Sequence, residues 1–143
     1  MSENPRLRER LEAVIRATPF AALMGARVNA LGDGVVELEV DVKPEVMHQH
    51  HGFVHGAVVG FMADSACAWA AASVAGDVVT SEYKLNLLAP AVGERLLARG
   101  RVLKASSRSL ATFAEVFAIR NGEEKLVAVA LASVAKVGGE GGR

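Results

Sequence analysis

From Val36 to Lys43 the chain alternates strictly, with Val36, Leu38, Val40 and Val42 set against Glu37, Glu39, Asp41 and Lys43. A period of two predicts a strand with one buried and one wet face. Ala26–Leu31 and the turn signal Gly32-Asp33-Gly34 precede it and complete a hairpin. Further upstream the period changes. Leu7, Leu11, Val14 and Ile15 recur at helical spacing in Ser2–Thr18, an amphipathic helix with Pro5 in its first turn; Pro19 discourages its continuation. After a polar loop from Pro44 to Phe53, the segment from about His55 to Ala75 is apolar on every face and long enough to be a helix. The remainder reads as strands: Val79–Leu88, Arg95–Lys104, Leu110–Arg120 and Lys125–Val137. Ala89-Pro90 with Gly93, Ser106-Ser107-Arg108 and Asn121-Gly122 separate them, the last being the strongest short hairpin signal in the chain. Residues 138–143 are expected to form a disordered tail.

The order is therefore helix, hairpin, long apolar helix and four strands. An α+β fold, with a curved antiparallel sheet wrapped round a long central helix, satisfies that pattern within a single domain over residues 1–143. One helix cannot cover so large a sheet, so edge or face pairing between protomers is expected. Gly52–Val79 could be mistaken for a membrane span, but Asp64 stands at its centre and no second span exists. We expect no membrane partner.

Charge narrows the function. With 16 basic and 16 acidic side chains and no compact basic block, no nucleic-acid partner is expected. Cys67, the single cysteine, lies in the apolar helix and reads as a small buried hydrophobe. The polar start, Met1–Arg16, is no secretory signal, and a cytoplasmic location is expected.

Asp64 is the only Asp, Glu, Lys or Arg in the 26 residues from His51 to Gly76. A carboxylate in apolar surroundings is costly unless it has partners, which makes it a candidate catalytic base or nucleophile. The segment His48-Gln49-His50-His51-Gly52-Phe53-Val54-His55-Gly56 precedes it. If His55 or Gly56 opens the helix, the first N–H groups lack intrahelical partners and lie at the positive end of the macrodipole, where they can stabilise an oxyanion. Four histidines raise the possibility of a metal site, but adjacent His50 and His51 would point apart and Asp64 lies two turns beyond His55. No metal or redox cofactor is expected.

Spacing adds a constraint. Gly56 and Asp64 are eight residues apart, about 12 Å along a helix. Both must come within roughly 3 Å of one carbonyl group to act on it. Joint action by these two residues therefore requires antiparallel copies of the helix, a homodimer with two shared sites.

The run His51-Gly52-Phe53-Val54-His55-Gly56 with Asp64 eight residues on, the strand Thr80–Pro90 ending Leu87-Leu88-Ala89-Pro90, and the late strand with Leu126-Val127-Ala128-Val129-Ala130 resemble the hot-dog-fold acyl-CoA thioesterases of the PaaI-like, 4-hydroxybenzoyl-CoA thioesterase class. The likeness covers about Met24 to Val137. It implies hydrolysis of an acyl-CoA, medium-chain or aromatic, to free acid and coenzyme A by a homodimer paired as a dimer of dimers. It also implies roles: Asp64 as nucleophile or general base, the Gly56 N–H on the thioester carbonyl, His55 shaping the turn, Gln49 holding carbonyl or water, and Thr80 orienting water or the acid. Ala57 departs from a frequent glycine. Ser106, Ser107 and Arg108 could contact the coenzyme A phosphates or be no more than a polar turn. Two other classes stay open: a hot-dog enoyl-thioester hydratase or dehydratase, and a non-catalytic acyl-CoA-binding module.

Overall fold

Asn4 opens the first helix. In the computed structural model, which describes residues 4–138, its side-chain oxygen accepts from the N–H groups of Arg6 and Leu7 at 3.0 and 3.4 Å. Helix α1 then runs Pro5–Ala17. It stops at Thr18, whose extended backbone is the conformation favoured before a proline. Pro19 does end α1, as expected, but it also occupies the first turn of a second short helix, α2 (Pro19–Met24), closed by Gly25 at φ +74°. Arg8 docks α1 onto the sheet by donating to the backbone oxygens of Val28 and Asn29 at 2.9 and 3.0 Å.

The strands are β1 (Arg27–Gly32), β2 (Val35–Asp41), β3 (Val78–Leu87), β4 (Arg95–Ala105), β5 (Ser109–Arg120) and β6 (Glu123–Lys136). They form one antiparallel sheet ordered β1-β2-β4-β5-β6-β3. Helix α3 (Pro44–Met47) interrupts the expected loop, and α4 (Gly56–Ala75) is the long apolar helix. Asn121 and Gly122 both have positive φ, as the tightest two-residue hairpin turn demands. Of the expected tail, residues 139–143 lie outside the described residues.

Helix α4 packs on all six strands. The apolar alternation in β2 turns Val36, Leu38 and Val40 inward, each fully buried, and Met62 from α4 is buried with them. Enclosing one side chain of this size contributes about 1.5–3 kcal/mol. The sheet comes unusually near the helix at Gly100: a Cβ there would stand 2.3 Å from the Ala66 carbonyl oxygen. The polar alternates of β2 lie on the opposite face. Glu37 pairs with Arg99, and Glu39 with Arg27 and Arg95.

β3 forms an edge of the sheet and borders α4 along its length. A Cβ at Gly56 would stand 3.3 Å from Leu87 Cδ1, and one at Gly60 would stand 3.4 Å from the Tyr83 hydroxyl. Further along the same pair of elements, Asp64 meets Thr80. Although α4 is long and apolar enough to cross a membrane by composition, it lies inside this sheet with more than half of its span buried.

Candidate active site

His55 is the N-cap of α4, and its Nδ1 accepts from the Ala57 N–H at 2.9 Å. A neutral imidazole accepting there carries its proton on Nε2. The His55 backbone oxygen accepts from the N–H groups of Val58 and Val59 at 2.9 and 3.3 Å. Three of the first N–H groups of the helix are thereby used. That of Gly56 has no hydrogen-bond partner among the described residues. It sits at the positive end of a helix of 20 residues, where a developing negative charge is favoured.

Gln49 is held beside this helix start by its own loop. Its side-chain oxygen accepts from the N–H groups of His51 and Phe53 at 2.6 and 3.3 Å, and its backbone N–H donates to the Phe53 oxygen at 2.8 Å. Two backbone donors on one side of the amide fix which end is oxygen, leaving the NH₂ group as the free donor. Val54 then pairs with the Ala91 oxygen at 3.0 Å, drawing the loop against the segment after β3. Gln49 and Gly56 open on a cavity of about 360 Å³ walled also by Phe53, Leu87, Leu88 and Pro90. None of its lining residues is acidic or basic.

The carboxylate lies elsewhere. Asp64 is half-buried in the middle of α4, and its Oδ1 accepts from the Thr80 hydroxyl at 2.7 Å. Among the described residues Oδ2 accepts no hydrogen bond. Cys67, one turn on, is fully buried; burial pushes its thiol pKa up and the charge of Asp64 adds to that, against a hydrogen bond with Thr112. It lacks the surroundings of a reactive thiol.

Within one chain the expected residues thus fall into two groups. Gln49, His55 and Gly56 gather at the start of α4; Asp64 and Thr80 meet two turns further on. Ser106, Ser107 and Arg108 belong to neither group. They form an exposed turn between β4 and β5, where the Arg108 oxygen accepts from the Lys136 N–H at 2.9 Å. Across β6, this turn is nearer to the Thr80 end of β3 than to its Leu87 end. The histidines do not converge on a metal site: no group of three or more His, Cys, Asp or Glu among the described residues could hold an ion. Residues that the sequence reading did not single out for the site are Leu87 and Leu88, which wall the Gly56 cavity, and Tyr83, which borders Gly60. The period of two along Tyr83, Leu85 and Leu87, read against the small positions Gly56 and Gly60, was the available signal.

A family model described as the thioesterase superfamily matches residues 51–125, a span that takes in His55, Gly56, Asp64, Thr80 and the 106–108 turn. In structure the chain is similar to a thioesterase family protein from Silicibacter pomeroyi, with 34% identity, 92% of this chain and 99% of that chain covered, and a TM-score of 0.87. It is similar also to a mutant of the phenylacetic acid degradation protein PaaI from Thermus thermophilus, at 28% identity, with 83% and 99% covered and a TM-score of 0.72. The PaaI protein of the Escherichia coli phenylacetic acid degradation operon shares the fold: TM-score 0.85, 21% identity, 96% and 98% covered. No curated protein matches the chain. A hot-dog fold, an unpartnered N–H at the start of its central helix and a carboxylate two turns on agree with the family match: the chain belongs to the thioesterase superfamily.

Proposed function

We propose that the protein hydrolyses acyl-CoA thioesters, with medium-chain or aromatic acyl groups, in two sites each shared between the protomers of a homodimer, and that dimers pair into a tetramer. The observation that carries this reading is the separation of its two halves. The cavity at the Gly56 N–H has no carboxylate in its wall, and the only carboxylate of α4 lies eight residues away. A second copy of α4, packed antiparallel, brings the missing acid. The edge position of β3 and its exposed Val79, Tyr83 and Leu87 supply a surface for that pairing.

In the shared site the thioester oxygen accepts from the Gly56 N–H, with the Gln49 NH₂ as a second donor. Both stabilise charge as the carbonyl carbon becomes tetrahedral. Asp64 of the facing protomer, held at Oδ1 by Thr80, presents Oδ2 to the reaction. It either attacks the carbon, giving an anhydride that water then opens, or takes a proton from the attacking water. In both routes the C–S bond breaks, the sulfur leaves as coenzyme A thiolate and takes up a proton, and water supplies the acid's new oxygen. His55 acts by capping Ala57, which leaves Gly56 free. The Ser106–Arg108 turn contacts the nucleotide phosphates in this reading, its support being its exposure and the one cation it carries.

Subunit complementation tests the shared site. Gly56→Pro and Asp64→Asn proteins, each inactive alone, are unfolded together and refolded, and thiol release from acyl-CoAs is followed. Random pairing gives hybrids with one intact site, so about a quarter of wild-type activity should return. No recovery from a mixture shown to contain hybrids would sink the shared site. Absence of thiol release by wild type across short, medium and aryl substrates would sink the hydrolase.

A further inference from the structure

A second cavity, about 310 Å³, lies between α1 and the last two turns of α4. Its volume falls at the lower end of the range of small-molecule sites, roughly 300–1,000 Å³. Leu7, Leu11 and Val14 wall it from α1, and Ala68, Trp69 and Ala72 from α4. Arg10 and Asp77, both exposed, mark its rim. Leu7 to Val14 is two turns of helix, so the space is a slot on the order of 10 Å long between two helices.

The slot begins where the catalytic half-site ends. Ala68 is one turn beyond Asp64, and positions four apart lie on one face of a helix. On the strand side, Val78 lines the slot and Thr80 holds Asp64; residues two apart in a strand face the same way. Helix and strand therefore both continue the wall of the Asp64 site into the slot. Charged side chains stand only at the rim.

Resting on the acyl-CoA hydrolase reading, we infer that this slot receives the tail of a straight aliphatic acyl group whose thioester carbonyl lies at Asp64, and that α1 is the element setting chain length. A slot on the order of 10 Å long between two helix faces matches the length of an extended unbranched chain better than that of an aryl ring. The small side chains of Ala68 and Ala72 leave the room; Leu11 and Trp69 supply apolar walls. The terminal methyl group points toward the Val78 end, with Arg10 and Asp77 kept in water.

Trp69 is the single tryptophan of the chain, so its fluorescence reports filling of the slot whether or not hydrolysis follows. Asp64→Asn protein is titrated with octanoyl-CoA, acetyl-CoA and phenylacetyl-CoA. Octanoyl-CoA should shift the emission to shorter wavelength and saturate; the other two should leave it unchanged. Val14→Phe and Ala72→Phe fill the slot from opposite walls. Each should weaken the octanoyl-CoA signal, and with Asp64 intact should lower the octanoyl-to-acetyl ratio of kcat/KM by about tenfold or more. Hydrolysis of octanoyl-CoA by wild type with no response from Trp69 would overturn the slot and leave the hydrolase standing. So would a ratio unmoved in both variants, shown folded by circular dichroism. A response to phenylacetyl-CoA in place of octanoyl-CoA would overturn the aliphatic assignment. Saturation by octanoyl-CoA without turnover by wild type would uphold the slot and remove the hydrolase.

Discussion

The Thr80 hydroxyl donates to Asp64 Oδ1 at 2.7 Å, joining the start of the edge strand to the middle of the central helix. This bond fixes one oxygen of the carboxylate and leaves the other to the substrate. Orientation of that kind acts on the chemical step more than on binding. Thr80→Val is therefore expected to lower kcat by about tenfold with KM little changed, and Thr80→Ser to restore it. Asp64→Asn keeps an acceptor for Thr80, so it should fold normally and lose about a hundredfold or more in thiol release. Steady-state kinetics beside thermal unfolding of the four proteins checks both statements; equal kcat in wild type and Thr80→Val would remove Thr80 from the mechanism.

At Gly56 a backbone donor can be deleted with little change to the fold. Proline is well accommodated at the first position of a helix, and His55 already has the extended backbone that precedes one, at φ −59° and ψ 139°. Gly56→Pro removes the N–H. Gly56→Ala retains it and adds a Cβ that Leu87 Cδ1, at 3.3 Å, can yield to. The proline variant should fall below the alanine variant by about 10²–10³ in kcat, the cost of losing one oxyanion donor. Comparable kcat for the two would mean that the Gly56 N–H does not bind the carbonyl oxygen.

How much of this was legible beforehand depended on the range of the interaction. The β2 alternation, the Asn121-Gly122 turn and the apolar run of α4 are local patterns, and each element appears where its residues place it. Pro19 shows the limit. As a breaker it ends α1, yet the same fixed φ suits the first turn of α2, and only the packing of Ala21 and Met24 into the core decides for a helix. The strand order is longer in range still: nothing in Val78–Leu87 announces that it pairs only with β6 and forms an edge. At the site, His55 and Gly56 could be read as a helix start from sequence. That the His55 ring takes the Ala57 N–H and spares Gly56 could not, since it depends on one side-chain rotamer.

Gly100 ties the sheet to the helix that carries Asp64. The Cβ of any other residue there would approach the Ala66 backbone oxygen to 2.3 Å, and backbone cannot turn aside as a side-chain end can. Gly100→Ala must push β4 from α4 and should destabilise the protein by roughly 2–4 kcal/mol, in the range of overpacked cores and beyond. Gly122→Ala, where a Cβ meets nothing within 4 Å but φ is +79°, should cost less, about 1 kcal/mol. Urea denaturation of the two variants checks the order; an equal midpoint for Gly100→Ala and wild type would contradict the close contact.

Glu39 makes stability depend on pH. Burial works to raise its pKa. Hydrogen bonds from Asn29 and Arg95, with the charges of Arg27 and Arg95, outweigh burial and hold it below the ordinary 4.5. The folded state therefore binds this proton less readily than the unfolded chain, and the stabilisation is complete above the ordinary value and lost as pH falls through the folded one. Its side chain is only 11% exposed, while Arg27 and Arg95 are 45% and 38% exposed, so solvent screens the pairs. Glu39→Gln should cost about 1–2 kcal/mol at neutral pH and progressively less in acid. Arg99 likewise lowers the pKa of Glu124 by a hydrogen bond, but that pair is about 40% exposed on both sides, and Glu124→Gln should cost only a few tenths of a kcal/mol. Urea midpoints at neutral pH and below the ordinary carboxylate pKa distinguish the two sites. A difference between wild type and Glu39→Gln that does not shrink in acid would show that the side chain's packing, rather than its charge, carries the effect.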